Sequence, residues 1–184
     1  MRLILASQSP RRRELLAKIT TEFEVIPARG EEILPEGIDP ESAVKLLAEQ
    51  KAAEVFSQNK DAVVIGSDTV VALDGQILGK PGSAQEAEHM LAMLSGRVHR
   101  VFTGVCVLSA NLKKTVAVST DVEFYPLSQK EISDYVATGE PMDKAGAYGI
   151  QDKGSLIVKG ISGDYFSVMG LPVAALSRLL EDFR

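Results

Sequence analysis

The sequence predicts an α/β fold, and three observations support this class. Strand-like apolar runs alternate with helix-like segments from one end of the 184 residues to the other. The composition, 45% hydrophobic and 24% charged, is typical of a globular protein and not of a disordered or collagen-like chain. The chain has no internal repeat and no linker long enough to separate two domains. We therefore expect residues 1–184 to form a single domain.

The chain begins with a predicted strand, turn and helix. Leu3–Ala6 is a short apolar run. Ser9 can cap a helix and Pro10 suits a first helical turn, so a helix is expected to follow directly. A second strand is predicted at Phe23–Ile26. The loop after it, residues 27–39, is rich in Gly, Pro and Glu and is long enough to suggest a functional role.

The middle of the chain predicts a helix and a hairpin. The helix starts at Asp39-Pro40 and extends to about Gln58. Residues 62–73 form a long apolar strand with one interruption at Asp68. Asp74-Gly75 is a strong signal for a two-residue turn, so residues 76–78 should form the returning strand.

Capping boxes predict two helices in the second half. The two pairs are Ser83 with Glu86 and Ser128 with Glu131, each at the spacing of a capping box. The first of these helices has apolar residues at helical spacing and should end at Gly96. The remaining predicted elements are strands at 98–108, 115–124 and 156–158 and a final helix from about residue 172.

Composition excludes several classes of site and partner. One cysteine, Cys106, and two histidines exclude a disulfide framework and Cys/His zinc sites, so a metal would have to bind carboxylates. We expect Cys106 in the core and His89 and His99 at surface or hydrogen-bonded positions. The net charge of −5 argues against binding to nucleic acid or anionic membranes. No apolar run approaches a membrane span or a signal peptide, so we expect a cytoplasmic protein.

Positive charge is concentrated near the start of the chain. The first 20 residues contain five basic residues and one acidic residue. Arg11, Arg12 and Arg13 fall in the first turn of the predicted helix, where they oppose the helix dipole unless an anion is bound. A polyphosphate would satisfy these arginines together with the hydroxyls of Ser7 and Ser9. A solvated surface face is the alternative, and charge pattern alone does not decide between them.

Three further charged positions are unusual in their surroundings. Lys51 falls on the apolar stripe of its helix, where its ammonium either points inward or extends to water. Asp68, within an apolar strand, needs a cation, a metal or hydrogen-bond donors. The predicted hairpin would bring Lys80 beside Asp68, either as a structural ion pair or as part of a site. Glu31 and Glu32 in the long loop are solvent-exposed or complete a metal site.

Common nucleotide and hydrolase motifs are absent. The chain lacks G-x-x-x-x-G-K-[ST], G-x-G-x-x-G and G-x-S-x-G. P-loop, Rossmann and serine-hydrolase interpretations therefore have no support.

Seven short blocks, in order along nearly the whole chain, resemble the Maf family. They are residues 5–12 (LASQSPRR), 50–52 (QKA), 66–69 (GSDT), 79–81 (GKP), 94–96 (LSG), 140–151 (EPMDKAGAYGIQ) and 163–172 (GDYFSVMGLP). This resemblance implies a nucleoside triphosphate pyrophosphatase that is structurally similar to inosine triphosphate pyrophosphatases. The implied fold is a long mixed β-sheet with flanking helices, forming two lobes around a central cleft.

The resemblance also implies roles for individual residues. Asp68 stands where the family has its proton acceptor, and Glu32, Lys51 and Lys80 match the other charged catalytic positions. Arg12 matches the second arginine of the phosphate-binding turn. A divalent cation, Mg²⁺ or Mn²⁺, would be held by Asp68 and Glu32 together with phosphate oxygens and water.

Three positions separate the branches of the family. Arg11, Thr69 and Gln151 match the branch that acts on dTTP and UTP, whereas the branch that hydrolyses 7-methyl-GTP has an aromatic residue, a Gln and a Glu there. The implied reaction converts these nucleotides, or modified pyrimidine relatives, to the monophosphate and pyrophosphate. The alternative is a nucleotide-binding regulator of septum formation with little turnover. The resemblance also implies a homodimer. It assigns no role to Arg13.

Overall fold

A mixed sheet of seven strands forms the framework of the protein, in a computed structural model that describes residues 2–183. The predicted α/β fold with a long mixed sheet is confirmed. β1 pairs in parallel with β2 and β3, and the other pairs are antiparallel, in the order β2-β1-β3-β5-β6-β7 with β4 beside β3. The strands are β1 Leu3–Leu5, β2 Glu24–Val25, β3 Val63–Leu73, β4 Gln76–Leu78, β5 Val98–Leu108, β6 Lys113–Phe124 and β7 Val158–Ser162.

Six α-helices flank this sheet within residues 2–183. They are α1 Pro10–Leu16, α2 Pro40–Ser57, α3 Ala84–Leu94, α4 Gln129–Ala137, α5 Tyr165–Met169 and α6 Val173–Glu181. The capping box predicted at Ser128 is confirmed. The one predicted at Ser83 is wrong in half, because Ser83 accepts the Glu86 N–H while the Glu86 carboxylate accepts the Gly82 N–H at 2.7 Å.

The predicted hairpin forms, whereas two elements in the last 30 residues differ from the prediction. The hairpin turn at Asp74-Gly75 forms, with φ of 51° and 80° as its tight geometry requires. The strand predicted at 156–158 starts only at Val158, because a 3₁₀ turn occupies residues 152–156. The five-residue helix α5 was not predicted, since it is too short to show helical periodicity.

The long strand β3 changes its neighbour midway. Its first part pairs with β1 as far as Ile65, and its last part pairs with β4 from Val71 onward. Between them, residues 66–70 pair with β5 on one side and, in the part of the chain that the structure describes, with no strand on the other. A cleft of about 780 Å³ opens at this gap in the sheet.

Two lobes lie on either side of the cleft, as predicted. The strands β3 and β5 run through both, so one sheet supports two hydrophobic cores. One core is built from the far end of the sheet with α3 and α4, including Leu73, Leu91, Leu94, Phe124 and Ile132. The other lies under α1 and α6, including Leu5, Leu15, Ile65, Leu171 and Leu176.

Helix α2 packs unusually close to the sheet. A Cβ atom built on Gly66 would lie 2.1 Å from the Ala48 carbonyl oxygen, and one on Gly104 would lie 2.2 Å from that of Val44. These separations are far below van der Waals contact, so only glycine fits at either position. The close approach brings the side chains of α2 within reach of β3, and α2 also covers a small core that includes the buried Cys106.

His99 is buried, and within residues 2–183 only one of its ring nitrogens has a hydrogen-bond partner. Its Nε2 lies 2.7 Å from the Tyr148 hydroxyl, whereas Nδ1 has no hydrogen-bond partner among residues 2–183. Burial lowers the pKa of His99 to about 4, although the charge of Asp121 opposes the change. The expected surface or hydrogen-bonded position is therefore wrong for half of this ring.

No helix within residues 2–183 is long and apolar enough to cross a membrane.

Candidate active site

The cleft has two walls because neighbouring residues of β3 point to opposite faces of the sheet. Asp68 faces α2, and Thr69 faces α1 and α5. We call Glu32, Lys51 and Asp68 the carboxylate face. Ser7, Arg12, Thr69 and Gly170 form the arginine face. The gap between β1 and β4 leaves one edge of β3 open. Residues of both faces line the single cleft at this edge.

Lys51 is the centre of the carboxylate face. Its Nζ donates to the Asp68 carboxylate and, at 2.8 Å, to Glu32 Oε1. The Lys51 and Asp68 side chains are only 18% and 12% exposed, whereas that of Glu32 is 56% exposed. The ammonium therefore points inward, and the alternative in which it extends to water is excluded.

Helix α2 also holds the long loop that carries Glu32. The side-chain amide of Gln50 donates to the Ile33 carbonyl at 2.7 Å and accepts from its N–H at 3.2 Å. Four residues along the helix, Glu54 accepts the N–H groups of residues 29 and 30 at 2.7 and 2.9 Å. These bonds on both sides of Glu32 fix its position over the cleft.

The surrounding cations keep Glu32 ionised. Burial opposes ionisation, but the hydrogen bond and charge of Lys51, with the charges of Lys80 and Arg12, lower the pKa of Glu32 below its ordinary value. Of the two alternatives for Lys80, the structural ion pair with Asp68 does not form among residues 2–183. Because β4 ends at Leu78, Lys80 lies beyond the ladder on the exposed rim of the cleft.

The arginine face holds a guanidinium on neutral acceptors. Arg12 donates from Nε to the Gly170 carbonyl at 2.8 Å and from Nη2 to Thr69 Oγ1 at 3.2 Å, and its Nη1 lies 3.5 Å from Ser7 Oγ. No carboxylate within residues 2–183 forms an ion pair with it. Burial lowers the pKa of Arg12, Asp68 opposes this change, and an arginine remains protonated in either case. A guanidinium has five N–H donors, so two remain for an anion.

The two predicted serines keep hydroxyl hydrogens available. Ser7 Oγ accepts the Ser9 N–H at 3.2 Å, and Ser9 Oγ accepts the Arg12 N–H at 3.4 Å. Neither hydroxyl donates to a group within residues 2–183. Arg11 reaches across the cleft, with Nη1 3.8 Å from Asp143 Oδ2, whereas Arg13 is exposed and lies outside the cleft lining.

Gln151 lines the cleft on a loop that is held by hydrogen bonds to Glu140. Its side-chain amide makes no hydrogen bond within residues 2–183. The Glu140 carboxylate accepts from Tyr135 OH at 2.9 Å and from the N–H groups of residues 154 and 153 at 3.0 and 3.1 Å. Sequence reasoning noted Glu140 only as part of a block, because nothing in the local pattern shows that its backbone partners lie 13 and 14 residues later.

The donor set of the carboxylate face is suited to a hard cation. Asp68 and Glu32 contact the same ammonium, so their oxygens converge on one point. No group of three His, Cys, Asp or Glu side chains in the described chain could hold a metal by itself. Mg²⁺ in nucleotide sites commonly takes one or two carboxylates and completes its shell with phosphate oxygens and water, so two carboxylates fit.

Sequence comparison finds relatives along almost the entire chain. The family model described as Maf-like protein matches residues 2–183. Similar proteins include the dTTP/UTP pyrophosphatase of Bacillus velezensis, 54% identical over 99% of this chain and 96% of that protein. The dTTP/UTP pyrophosphatase of Bacillus pumilus is 52% identical over 98% of this chain and 96% of its own.

Structure comparison extends the likeness to a distant fold relative. The Staphylococcus aureus Ham1 protein superposes with a TM-score of 0.53 at 16% identity, and the alignment covers 100% of both chains. At this identity the likeness concerns the fold alone.

Proposed function

Since this chain belongs to the Maf family, we propose that it is a nucleoside triphosphate pyrophosphatase that hydrolyses dTTP and UTP. The observation that carries the proposal is the pairing of two unlike faces across β3. The Arg12 guanidinium, which has no carboxylate partner within residues 2–183, lies opposite two carboxylates that share one lysine. Relatives at 54% and 52% identity carry the name of this activity.

The arginine face would bind the triphosphate. Arg12 has two unused N–H donors, and Ser7 and Ser9 have unused hydroxyl hydrogens. Lys80 and Arg11 add positive charge at the rim of the same cleft. Together these groups would hold the β- and γ-phosphates and stabilise the charge that accumulates on pyrophosphate as it leaves.

The carboxylate face would activate water. In the proposed step a water oxygen forms a bond to the α-phosphorus while the bond from that phosphorus to the bridging oxygen breaks. The proton of the water passes to Asp68, and the electron pair of the broken bond leaves with pyrophosphate. Lys51 keeps Asp68 and Glu32 oriented toward the attacking water and spreads positive charge near the α-phosphate.

Asp68 and Glu32 are the residues that would hold a divalent cation, Mg²⁺ or Mn²⁺. When bound, such a cation lowers the pKa of coordinated water and neutralises phosphate charge. The converging carboxylates and the absence of a third ligand within residues 2–183 support a cation that arrives with the nucleotide.

The part of the cleft lined by Gln151 would select the base. Gln151 offers both a donor and an acceptor, and uracil and thymine present both kinds of group on one edge. Thr69 contacts Arg12 in the same cleft, and Arg11 also lines it. These three positions support the assignment to pyrimidine nucleotides.

A regulator that only binds nucleotides would need the arginine face but not the carboxylate face. Asp68 and Glu32 repel a polyphosphate, so a protein that only bound nucleotides would not need both carboxylates, whereas holding a cation and activating water together would use both. This difference favours hydrolysis over binding alone.

The deciding experiment is incubation with a panel of nucleoside triphosphates and Mg²⁺, with pyrophosphate and orthophosphate measured separately. We expect UTP and dTTP to give monophosphate and pyrophosphate. Orthophosphate as the product would contradict the bond proposed to break. Asp68→Asn should remove most turnover, and the matched control Asp121→Asn, on an exposed pair with Arg100, should not.

A further inference from the structure

Gly170, just after helix α5, presents its carbonyl oxygen to both Arg12 and Ser67. The oxygen accepts from Arg12 Nε at 2.8 Å and from Ser67 Oγ of β3 at 3.1 Å. A carbonyl oxygen can only accept, and it has two lone pairs, so these two donors fill its capacity. Ser67, which is 0% exposed, is therefore linked to Arg12 through one shared acceptor.

The main chain of Gly170 is held from two strands of the sheet. Its φ of 117° lies in the left-handed region, and without a side chain its backbone has little restraint of its own. Its N–H donates to the Ser167 carbonyl at 3.0 Å, and the same carbonyl accepts from Thr103 Oγ1 of β5 at 2.7 Å. Its own carbonyl accepts from Ser67 of β3. Each polar group of this glycine is thus tied to the sheet.

The direction of the Gly170 carbonyl sets the plane of the Arg12 guanidinium. A guanidinium is a rigid, planar fork, so two anchored donors fix the direction of all five. The anchors are Nε on the Gly170 carbonyl at 2.8 Å and Nη2 on Thr69 Oγ1 at 3.2 Å. A Cβ built on Gly170 would lie 3.4 Å from that Nε and 3.6 Å from that Oγ1, so the three groups are in close contact. A turn of the carbonyl would therefore turn the fork.

We infer that Ser67 is a positioning residue, which holds the Gly170 carbonyl and thereby aims the free N–H donors of Arg12 into the cleft. The inference rests on the proposed function, because it takes a polyphosphate as the anion that these donors meet. Ser67 precedes Asp68, whose side chain lies on the other face of the strand, so consecutive residues of β3 serve the two faces. Loss of one neutral hydrogen bond should weaken anion binding by about 3- to 10-fold.

The test is a double-mutant cycle with inorganic tripolyphosphate as the probe. Ser67→Ala, Arg12→Lys and the double variant are compared with the unmodified protein by calorimetry, without divalent cations. Arg12→Lys removes the fork on which Ser67 is proposed to act. Ser167→Ala is the matched control, because Ser167 is also 0% exposed and its hydroxyl donates to the Asp164 carbonyl at 2.8 Å. Thermal unfolding and UTP turnover are measured on every variant.

We expect Ser67→Ala to weaken tripolyphosphate binding by about 3- to 10-fold when Arg12 is present, and by less than about 2-fold in the Arg12→Lys background. Ser167→Ala should lower the melting temperature without weakening binding. Ser67→Cys fills the same buried space with a weak donor and should show the same dependence on Arg12, which keeps the test open if Ser67→Ala does not fold.

Three results would overturn the inference. They are an equal loss with and without Arg12, unchanged binding in Ser67→Ala, and no tripolyphosphate binding by the unmodified protein. The role of Ser67 and the proposed reaction can fail separately. If the loss depends on Arg12 but UTP is not hydrolysed, the reaction fails and the role of Ser67 stands. If UTP is hydrolysed but the loss is independent of Arg12, the reaction stands and the role of Ser67 fails.

Discussion

The two faces of β3 border the same cleft, yet their charges are arranged in opposite ways. On the carboxylate face every charged group contacts a group of opposite charge, with Lys51 between Glu32 and Asp68. On the arginine face, the side-chain hydrogen bonds that Arg12 donates within residues 2–183 all go to neutral oxygens. The arginine face is therefore able to accept an anion, whereas the carboxylate face holds two negative charges against one positive charge.

The largest expected effect comes from breaking the carboxylate face at Lys51. Lys51→Met keeps the length of the side chain but leaves Asp68 and Glu32 facing each other without a cation. We expect kcat/KM for UTP to fall by about 100-fold or more, because charge stabilisation of this kind contributes on that scale.

Lys45→Met is the matched control for this change. Lys45 lies on the same helix but pairs with Glu41 on the exposed side. Steady-state kinetics of the two variants should differ sharply. If Lys51→Met lowers only the melting temperature, the lysine has a structural role alone.

The next effect tests how closely α2 supports that face. Gly104→Ala places a methyl group about where the Val44 carbonyl lies, so α2 must move away from the sheet. We expect a loss of about 2–3 kcal/mol in the free energy of unfolding, measured by urea denaturation. The control is Gly160→Ala, where a Cβ meets nothing within 4 Å. An equal, small loss in both variants would contradict the close packing.

The arginine face can be separated from simple positive charge. Arg12→Lys keeps the charge but cannot reach the Gly170 carbonyl and Thr69 together, so we expect about a 30-fold loss in kcat/KM, equivalent to one hydrogen bond to a charged group. The exposed Arg13 provides the control as Arg13→Lys. A comparable loss there would mean that the fork geometry of Arg12 is not what the site uses.

The smallest expected effect is on the stability of the protein at low pH, and it arises at His99, which belongs to neither face. His99 is neutral when folded down to a pH of about 4, whereas it binds a proton near its ordinary pKa when unfolded. Stability should therefore be unaffected above about pH 6.5 and should fall below it, by roughly 1.4 kcal/mol per pH unit.

His99→Phe should remove this part of the pH dependence between pH 7 and 5. Urea unfolding at several pH values measures it, with exposed His89→Phe as the control. A slope that is unchanged in His99→Phe would assign the acid sensitivity to other groups.

Local patterns were sufficient for most elements, whereas the residues of the cleft came from the family resemblance. Apolar periodicity and caps identify the long strands and α2, and the resemblance assigned Asp68, Lys51 and Arg12 to one site. The hairpin geometry predicted Lys80 beside Asp68, because the turn could be read from the sequence but the close approach of α2 could not. That approach depends on two glycines that meet only in the folded sheet, Gly66 and Gly104.

The contacts of Thr103 and Glu140 could not be predicted for a related reason. Each residue hydrogen-bonds to groups that are distant in sequence. Thr103 contacts Thr69 and Ser167, and Glu140 contacts the loop that carries Gln151. A sequence pattern reports neighbours along the chain, whereas these contacts arise from strand register and loop closure.

The gap along β3 has a consequence for amide hydrogen exchange. Over residues 66–70, N–H groups alternate between the side paired with β5 and the side that borders the cleft. Deuterium should enter this strand at every second amide first, although the strand lies in the middle of the sheet. A nucleotide bound against the open edge should slow hydrogen exchange at those same amides. Exchange measured with and without nucleotide would therefore locate the bound ligand without any substitution.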